Sequence, residues 1–256
     1  MQKRFSVGVG VAAILALGAI VCSVIWTRTI VRVRGGEEII RVIGSARKPI
    51  HADFIIWNGS ISENAPTVAQ GYANLKAKMT TVQTYLQSKG LSAKDIMPLA
   101  ISVETLYAKP KTTVGPNGTV TTEGEGAFRA ATGYRMRQGI EIQSKQVDLV
   151  ERVSRQSTEL LGKGVVLESD NPMYLYTQMS ALKVTMQAEA ARDAYNRATQ
   201  IANNAGCRLG QVRFARMNVP SITPLYANSE DDGGVDDTTA IDKKITAVVV
   251  VGYSIR

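Results

Sequence analysis

The sequence predicts an α+β domain behind an N-terminal transmembrane helix, with helices packed on one face of a largely antiparallel sheet. Three observations carry that expectation. Phe5–Trp26 is a run of 22 residues without a charge. Three later segments repeat apolar residues at helical spacing, and each is accompanied by paired β-branched segments. The long polar stretches join strand to strand, which favours α+β over alternating β-α-β units.

Residues 1–4 read as a cytoplasmic tip. A helix over Phe5–Trp26 reaches roughly 33 Å at about 1.5 Å per residue, enough for a hydrocarbon core of about 30 Å. Trp26 falls at the far end, where an amphipathic ring suits the interface. A cleaved signal peptide is the competing reading. The run is longer than a usual signal core, however, and its exit Cys22-Ser23-Val24-Ile25-Trp26 lacks a small-x-small pair. Ala19-Ile20-Val21 also lacks the small residue that lipoprotein processing favours before the cysteine. Lys3 and Arg4 nearly balance Arg28, Arg32 and Arg34, so charge alone leaves the orientation open. Gly8, Ala12 and Ala16 share one face of the span, a helix-pairing spacing that such spans also show by composition alone. Residues 27–37 are the juxtamembrane linker, and 38–256 the domain.

The formal charge of +8 belongs largely to the membrane flank. Five of the 30 Lys and Arg precede Gly35, and the remainder is only mildly basic. No arginine-rich run or basic patch with interleaved aromatics follows, so a nucleic-acid footprint is absent. The juxtamembrane arginines suit lipid headgroups. Cys22 lies in the span and Cys207 is the domain's single thiol, which excludes an intramolecular disulfide within the domain and a cysteine metal site. Cys207 is expected to be half-buried and inert.

Glu38–Ile50 has the β-branched content of a strand, with Gly44 marking a bulge or a close backbone approach. His51–Ser62 reads as a second strand, although Asn58-Gly59 is a local hairpin signal. Asn64 is placed to cap a helix with Pro66 in its first turn. Val68, Tyr72, Leu75, Met79, Val82 and Leu86 then make one apolar stripe, and Gly90 closes it. Ile96–Tyr107 is a strand, Lys109–Gly126 a loop, and Phe128–Gln143 a strand with Tyr134, Met136, Ile140 and Ile142 in near alternation. A second helix runs from about Gln146 to Leu161, with Gly162 and Gly164 as its stop. Val165–Tyr176 is a strand broken by Asn171-Pro172. The third helix, about Met179–Ala205, has a small-residue stripe of Ala191, Ala194, Ala198, Ala202 and Ala205, with Gly206 as its cap. Gln211–Tyr226 is a strand interrupted by Pro220 and Pro224. Asn228–Asp237, with five acids in ten residues, is expected to be disordered. Ile245–Ile255 is the strongest strand signal, and Ala247–Val251 is a pairing template if it lies at a sheet edge.

The inventory of catalytic groups is thin. His51 is the single histidine, so no histidine pair can hold a metal, and no nucleophile elbow is present. A surface or structural role outweighs a catalytic one for it. There is no phosphate loop and no dinucleotide fingerprint; Gly8-x-Gly10 belongs to the span. Glu230–Asp237 lacks the spacing of a calcium loop. Asn58-Gly59-Ser60 and Asn117-Gly118-Thr119 fit glycosylation sequons, a pattern short enough to occur by chance. No catalytic, cofactor-binding or metal-ligating residue is assigned, no cofactor is expected, and an enzyme is not expected.

Four stretches together resemble a known family. They are RVIGSARKPIHADFIIWNGSISE; YANLKAKMTTVQTYLQSKG with LSAKDIMPLAISVE; GYRMRQGIEIQSKQVDLVERV; and ALKVTMQAEAARDAYNRATQIANNAGCRLGQV. In order and spacing they resemble the SIMPL-domain proteins, the bacterial YggE-like envelope group, from about Ile40 to Ile255. Ala190-Ala191-Arg192, Ala198, Ala202, Gly206 and Leu209-Gly210 are the most telling. Ser45-Ala46 after Gly44, and Pro49 four residues ahead of Asp53, depart from the family's usual second glycine and Pro-Asp pair. The resemblance implies that Asn58-Gly59 lies within a continuous strand. It further implies an exported, assembly-prone envelope protein, ring-like or of higher order, with links to stress tolerance in some members and no transferable catalytic set.

The functional expectation is therefore a single-pass inner-membrane protein with its domain in the periplasm. It would contact lipid through its N-terminal helix, and act as a homo-oligomeric scaffold for envelope partners. The alternative is a periplasmic ligand- or peptide-binding module that uses an exposed sheet edge.

Overall fold

Most of the β-branched segments and helical stripes form strands and helices near the expected positions, but they build two main sheets rather than one. The computed structural model describes residues 38–108, 111–114, 120–123, 131–227 and 236–256, with 18, 20, 22, 23 and 26 ahead of them. Apart from those five helical positions, the expected span Phe5–Trp26 lies outside the described residues. Among the described residues no helix is long and apolar enough to cross a membrane.

In chain order the elements are β1 (Ile39–His51), β2 (Phe54–Ala65), α1 (Val68–Ser88), β3 (Ile96–Tyr107), β4 (Lys111–Val114), β5 (Val120–Glu123) and β6 (Ala131–Ser144). There follow α2 (Val147–Gln156), β7 (Leu167–Ser169), β8 (Met173–Leu175), α3 (Met179–Asn204), β9 (Leu209–Met217), β10 (Ser221–Pro224) and β11 (Asp242–Ile255). The α+β class and antiparallel pairing agree with expectation. The chain divides into two compact units: Arg47–Met186 with Val219–Ala247, and Met1–Ala46 with Gln187–Asn218 and Val248–Arg256.

The first unit holds a five-stranded sheet in the order β3-β6-β2-β7, with β8 also on β2. β2 runs unbroken through Asn58↔Glu141 and Gly59↔Ile140, so the local Asn-Gly hairpin signal is overridden by the ladder on both sides. Alternation decides the rest. Ile55, Trp57 and Ile61 of β2 and Met136, Ile140 and Ile142 of β6 point to one face, where they bury with Leu75, Met79, Val82 and Leu86 of α1 and Val150 and Val153 of α2. Each such side chain contributes about 1.5–3 kcal/mol on burial. Trp57 Nε1 donates to Ser169 Oγ at 2.9 Å, which satisfies the indole inside the core. Tyr85 OH donates to the Gln156 carbonyl at 2.8 Å and ties α1 to the end of α2.

Several boundaries differ from expectation for physical reasons. Asn64 is not the cap of α1, because β2 continues through Ala65 and pairs Asn64 with Arg135. Thr67 caps instead, its hydroxyl accepting from Gln70 N at 3.3 Å. Val68 and Tyr72 are exposed, and Gly71 takes the buried place; a Cβ there would lie 3.1 Å from Met136 Sδ. α2 is shorter than expected and passes into a 3₁₀ turn, Ser157–Lys163, stopped by Gly164 at φ 74°. The stretch Lys109–Gly126, expected as a loop, contains a hairpin pairing Val114 with Val120, since its threonines are β-branched strand formers.

In the second unit, α3 packs on the sheet of β1, the end of β11 and β9. Ala190, Ala194, Ala198 and Ala202 are its buried stripe, with Ala190 in place of the expected Ala191 and Ala205 left exposed. Gly44 of β1 is the close approach that the sequence marked. A Cβ there would fall 2.2 Å from Ala190 O and 2.5 Å from Ala194 N. Tyr195 meets Tyr253 edge to face at 6.2 Å.

Candidate functional site

At the end of β1 the chain places its one histidine among carboxylates. His51 Nδ1 lies 2.8 Å from Asp242 Oδ1, and Nε2 lies 4.0 Å from Asp148 Oδ1, in the first turn of α2. Asp53 is committed elsewhere, accepting Thr177 N and Oγ1 at 2.7 Å each. His51, Asp53 and Asp148 border an open cleft of about 530 Å³ that Lys145, Leu149 and Arg152 also line. No serine, threonine or cysteine borders it. A histidine with a carboxylate partner but no neighbouring hydroxyl or thiol is half of a nucleophilic arrangement. Among the described residues no group of three or more His, Cys, Asp or Glu is placed to hold a metal ion.

Lys243 is the group that sequence reasoning missed. It is 2% exposed. Its ammonium donates to the Tyr174 carbonyl at 2.7 Å and to the Asp237 carbonyl, with Asp237 Oδ2 at 3.8 Å. Burial pushes the Lys243 pKa below its ordinary value, against the attraction of Asp237 and Asp236. For Asp237, burial opposes ionisation. Thr239 donates both its hydroxyl and its N–H, Ala240 donates its N–H, and with the Lys243 charge they outweigh burial and leave the carboxyl below its usual range. The signal was parity. The inward positions of β11 run 243, 245, 247, 249, 251 and 253, so the alternation that buries Ile245 also buries the lysine.

The acidic stretch is corrected by the same contacts. Residues 228–235 of the expected disordered segment lie outside the described residues, but Asp236 and Asp237 are held. Asp236 bridges to Ile222 and pairs with Lys183 Nζ at 3.1 Å. Cys207 is half-buried as expected, its Sγ 3.7 Å from the Ala205 carbonyl. Of the sequons, Asn58 sits inside β2 with Oδ1 buried and unpartnered, and Asn117 lies outside the described residues.

Sheet edges are the other surface with functional potential, and the valine run does not lie at one. β11 is an interior strand: β1 flanks it on one side, and β10 and β9 on the other. The 14-residue strand carries inward apolar positions over most of its length because it is enclosed, not because it is poised to pair. Among the described residues the terminal strands are β3 opposite β7 and β8 in one sheet, and β1 opposite β9 and β10 in the other. β3 exposes Met97, Leu99, Val103 and Tyr107; β9 exposes Val212, Phe214 and Met217. Pro98 and a register shift before Ile101 interrupt the first half of β3, while Ile101–Leu106 pairs regularly with Gly133–Gln138.

A family model described as "SIMPL: Protein of unknown function (DUF541)" matches residues 40–253. The chain belongs to the SIMPL family. The match begins one residue into β1 and ends inside β11, so the SIMPL domain takes in both units. No curated protein matches the SIMPL chain.

Proposed function

We propose that this SIMPL protein is a non-catalytic envelope scaffold. It crosses the bacterial inner membrane once through Phe5–Trp26, holds its domain in the periplasm, and self-associates there, with a link to stress tolerance. The observation that carries the reading is that two of the terminal strands, β3 and β9, are 12 and 9 residues long and bear exposed apolar side chains. An edge strand offers unpaired N–H and C=O groups to another chain, and exposed apolar residues strengthen that pairing. An anchor that confines the domain to two dimensions raises its effective concentration and favours weak lateral contacts. Neither nucleic acid nor a cofactor has a part in this reading.

The test uses single charges at exposed edge positions. Val103→Glu on β3 and Val212→Glu on β9 are expected to reduce the mass of the full-length protein in detergent while leaving its melting temperature within about 2 °C. Unchanged assembly in both variants overturns the edge-mediated scaffold. Protease added to spheroplasts is expected to digest the chain beyond Gly35 while Met1 stays attached to the span. Protection of the domain, or a mature start beyond Trp26, overturns the topology.

A further inference from the structure

In the second unit the sheet has one face covered by α3 and one face open. Val42 and Gly44 of β1, and Val249, Val251 and Tyr253 of β11, turn toward α3, and all are buried. The intervening residues turn the other way. Ile39, Arg41 and Ile43 line the open face of β1, with Ile39 and Ile43 43% and 58% exposed. On β9, Phe214 lies opposite Gly252 and Arg216 opposite Val250, which places both on that same open face. The Phe214 ring covers Gly252 so closely that an added Cβ would meet Cε1 at 2.2 Å. Val248 and Val250 of β11 fill the space between as half-buried apolar residues.

The charge of this unit matches that face. Its described residues carry seven arginines and no lysine, against Glu38, Glu189 and Asp193. Two of the seven, Arg41 and Arg216, stand on the open face; arginine is weakly hydrated and forks two donors toward phosphate oxygens, so this pair beside exposed Ile and Phe suits a phosphate-bearing apolar boundary. Chain length points to the same place. Between Trp26 and Glu38 lie eleven residues, 27–37, which even when extended reach no more than about 40 Å. Three of them are Arg28, Arg32 and Arg34.

We infer that the open face formed by Ile39, Arg41, Ile43, Phe214 and Arg216 rests on the anionic lipid surface beside the chain's own anchor. The inference rests on the anchored reading above. Arginines meet lipid phosphates while the isoleucines and Phe214 enter the headgroup layer, and the domain is held at a fixed attitude to the membrane.

The test reconstitutes the full-length chain, with Cys22 and Cys207 replaced by serine, into phosphatidylglycerol–phosphatidylcholine vesicles or pure phosphatidylcholine vesicles. An environment-sensitive fluorophore is attached at Ile43→Cys or, on the α3 side, at Ile201→Cys, which is also exposed. In anionic vesicles the label at 43 is expected to shift to the blue and to be quenched by spin-labelled lipid, while the label at 201 is not. Arg41→Gln with Arg216→Gln is expected to lower the ratio of lipid-apposed to free face by roughly 25-fold, about fivefold for each arginine. On unlabelled wild-type protein, amide exchange over 39–43 should slow in anionic vesicles relative to neutral ones. If the chain floats with the vesicles but the label at 43 is neither shifted nor quenched and exchange is unchanged, the inference is overturned and the anchor stands. If protection at 43 follows protein concentration rather than lipid charge, a second copy covers the face and the inference is again overturned. If the chain does not float at all, both readings fall.

Discussion

Gly44→Ala tests whether α3 and β1 are packed as closely as the small residues of both elements imply. The added methyl would lie 2.2 Å from Ala190 O, 2.5 Å from Ala194 N and 2.6 Å from Ala194 Cβ. Two of the three are helix backbone, which yields only if the whole of α3 moves off the sheet. Ordinary overpacking costs about 1–3 kcal/mol, and contact with backbone places this substitution at about 3 kcal/mol or above. For a chain of this size that corresponds to a fall in melting temperature of about 6–12 °C. Circular dichroism melts of the full-length protein in detergent measure it. Ala194→Gly is not expected to rescue the variant, since the two backbone contacts remain. Gly162→Ala, where a Cβ meets nothing within 4 Å, is the control and should stay within about 2 °C. A Gly44→Ala protein that melts with the wild type would refute the packing account of the alanine stripe.

Two further outcomes follow from the buried charges. Lys243→Met leaves the Tyr174 and Asp237 carbonyls without their shared donor and Asp237 without a cation, and is expected to cost about 3–5 kcal/mol in urea unfolding at neutral pH. Because the folded-state pKa of Lys243 is depressed, the unfolded chain holds its proton to higher pH. Wild-type stability relative to the variant should therefore rise as pH climbs from the folded value toward 10.5; a flat difference contradicts the buried-ammonium account. Glu63 of β2 accepts from Lys78 at 2.5 Å and from Asn74 at 3.0 Å on α1, and those bonds hold its pKa below the usual carboxylate value. Its contribution is present above about pH 4.5 and lost as pH falls through the folded value. Glu63→Gln should thus cost about 1.5–3 kcal/mol at pH 7 and nothing in strong acid, and a deficit that persists in acid would contradict the ion pair.

Much of the fold was legible because alternation and helical spacing report burial directly. The expected and observed bounds of β3 coincide, Gly44 takes the close approach rather than the bulge that its position equally suggests, and three of the five alanines in the α3 stripe are buried. Misjudged features depend on partners distant in the chain. Asn64 has every local qualification for a cap, yet Arg135 across the ladder keeps it in β2. The valines of β11 look the same in an edge strand and an enclosed one; strand order alone separates them. Threonine carried the β4–β5 hairpin, and a polar composition concealed it. Parity places Lys243 inward, but lysine is so seldom buried that its type points the other way. At the candidate site, His51 was singled out, but its Asp242 and Asp148 partners lie far away in sequence and arrive only through folding.

The scaffold reading is tested most directly by the solution mass of the full-length protein extracted in detergent, measured by light scattering across micromolar concentrations with the detergent contribution subtracted. A discrete multiple of the 27.6 kDa protomer that persists on dilution is expected. A stable particle of one protomer mass throughout would contradict self-assembly and leave the open strands of β3 and β9 to an extended peptide partner instead.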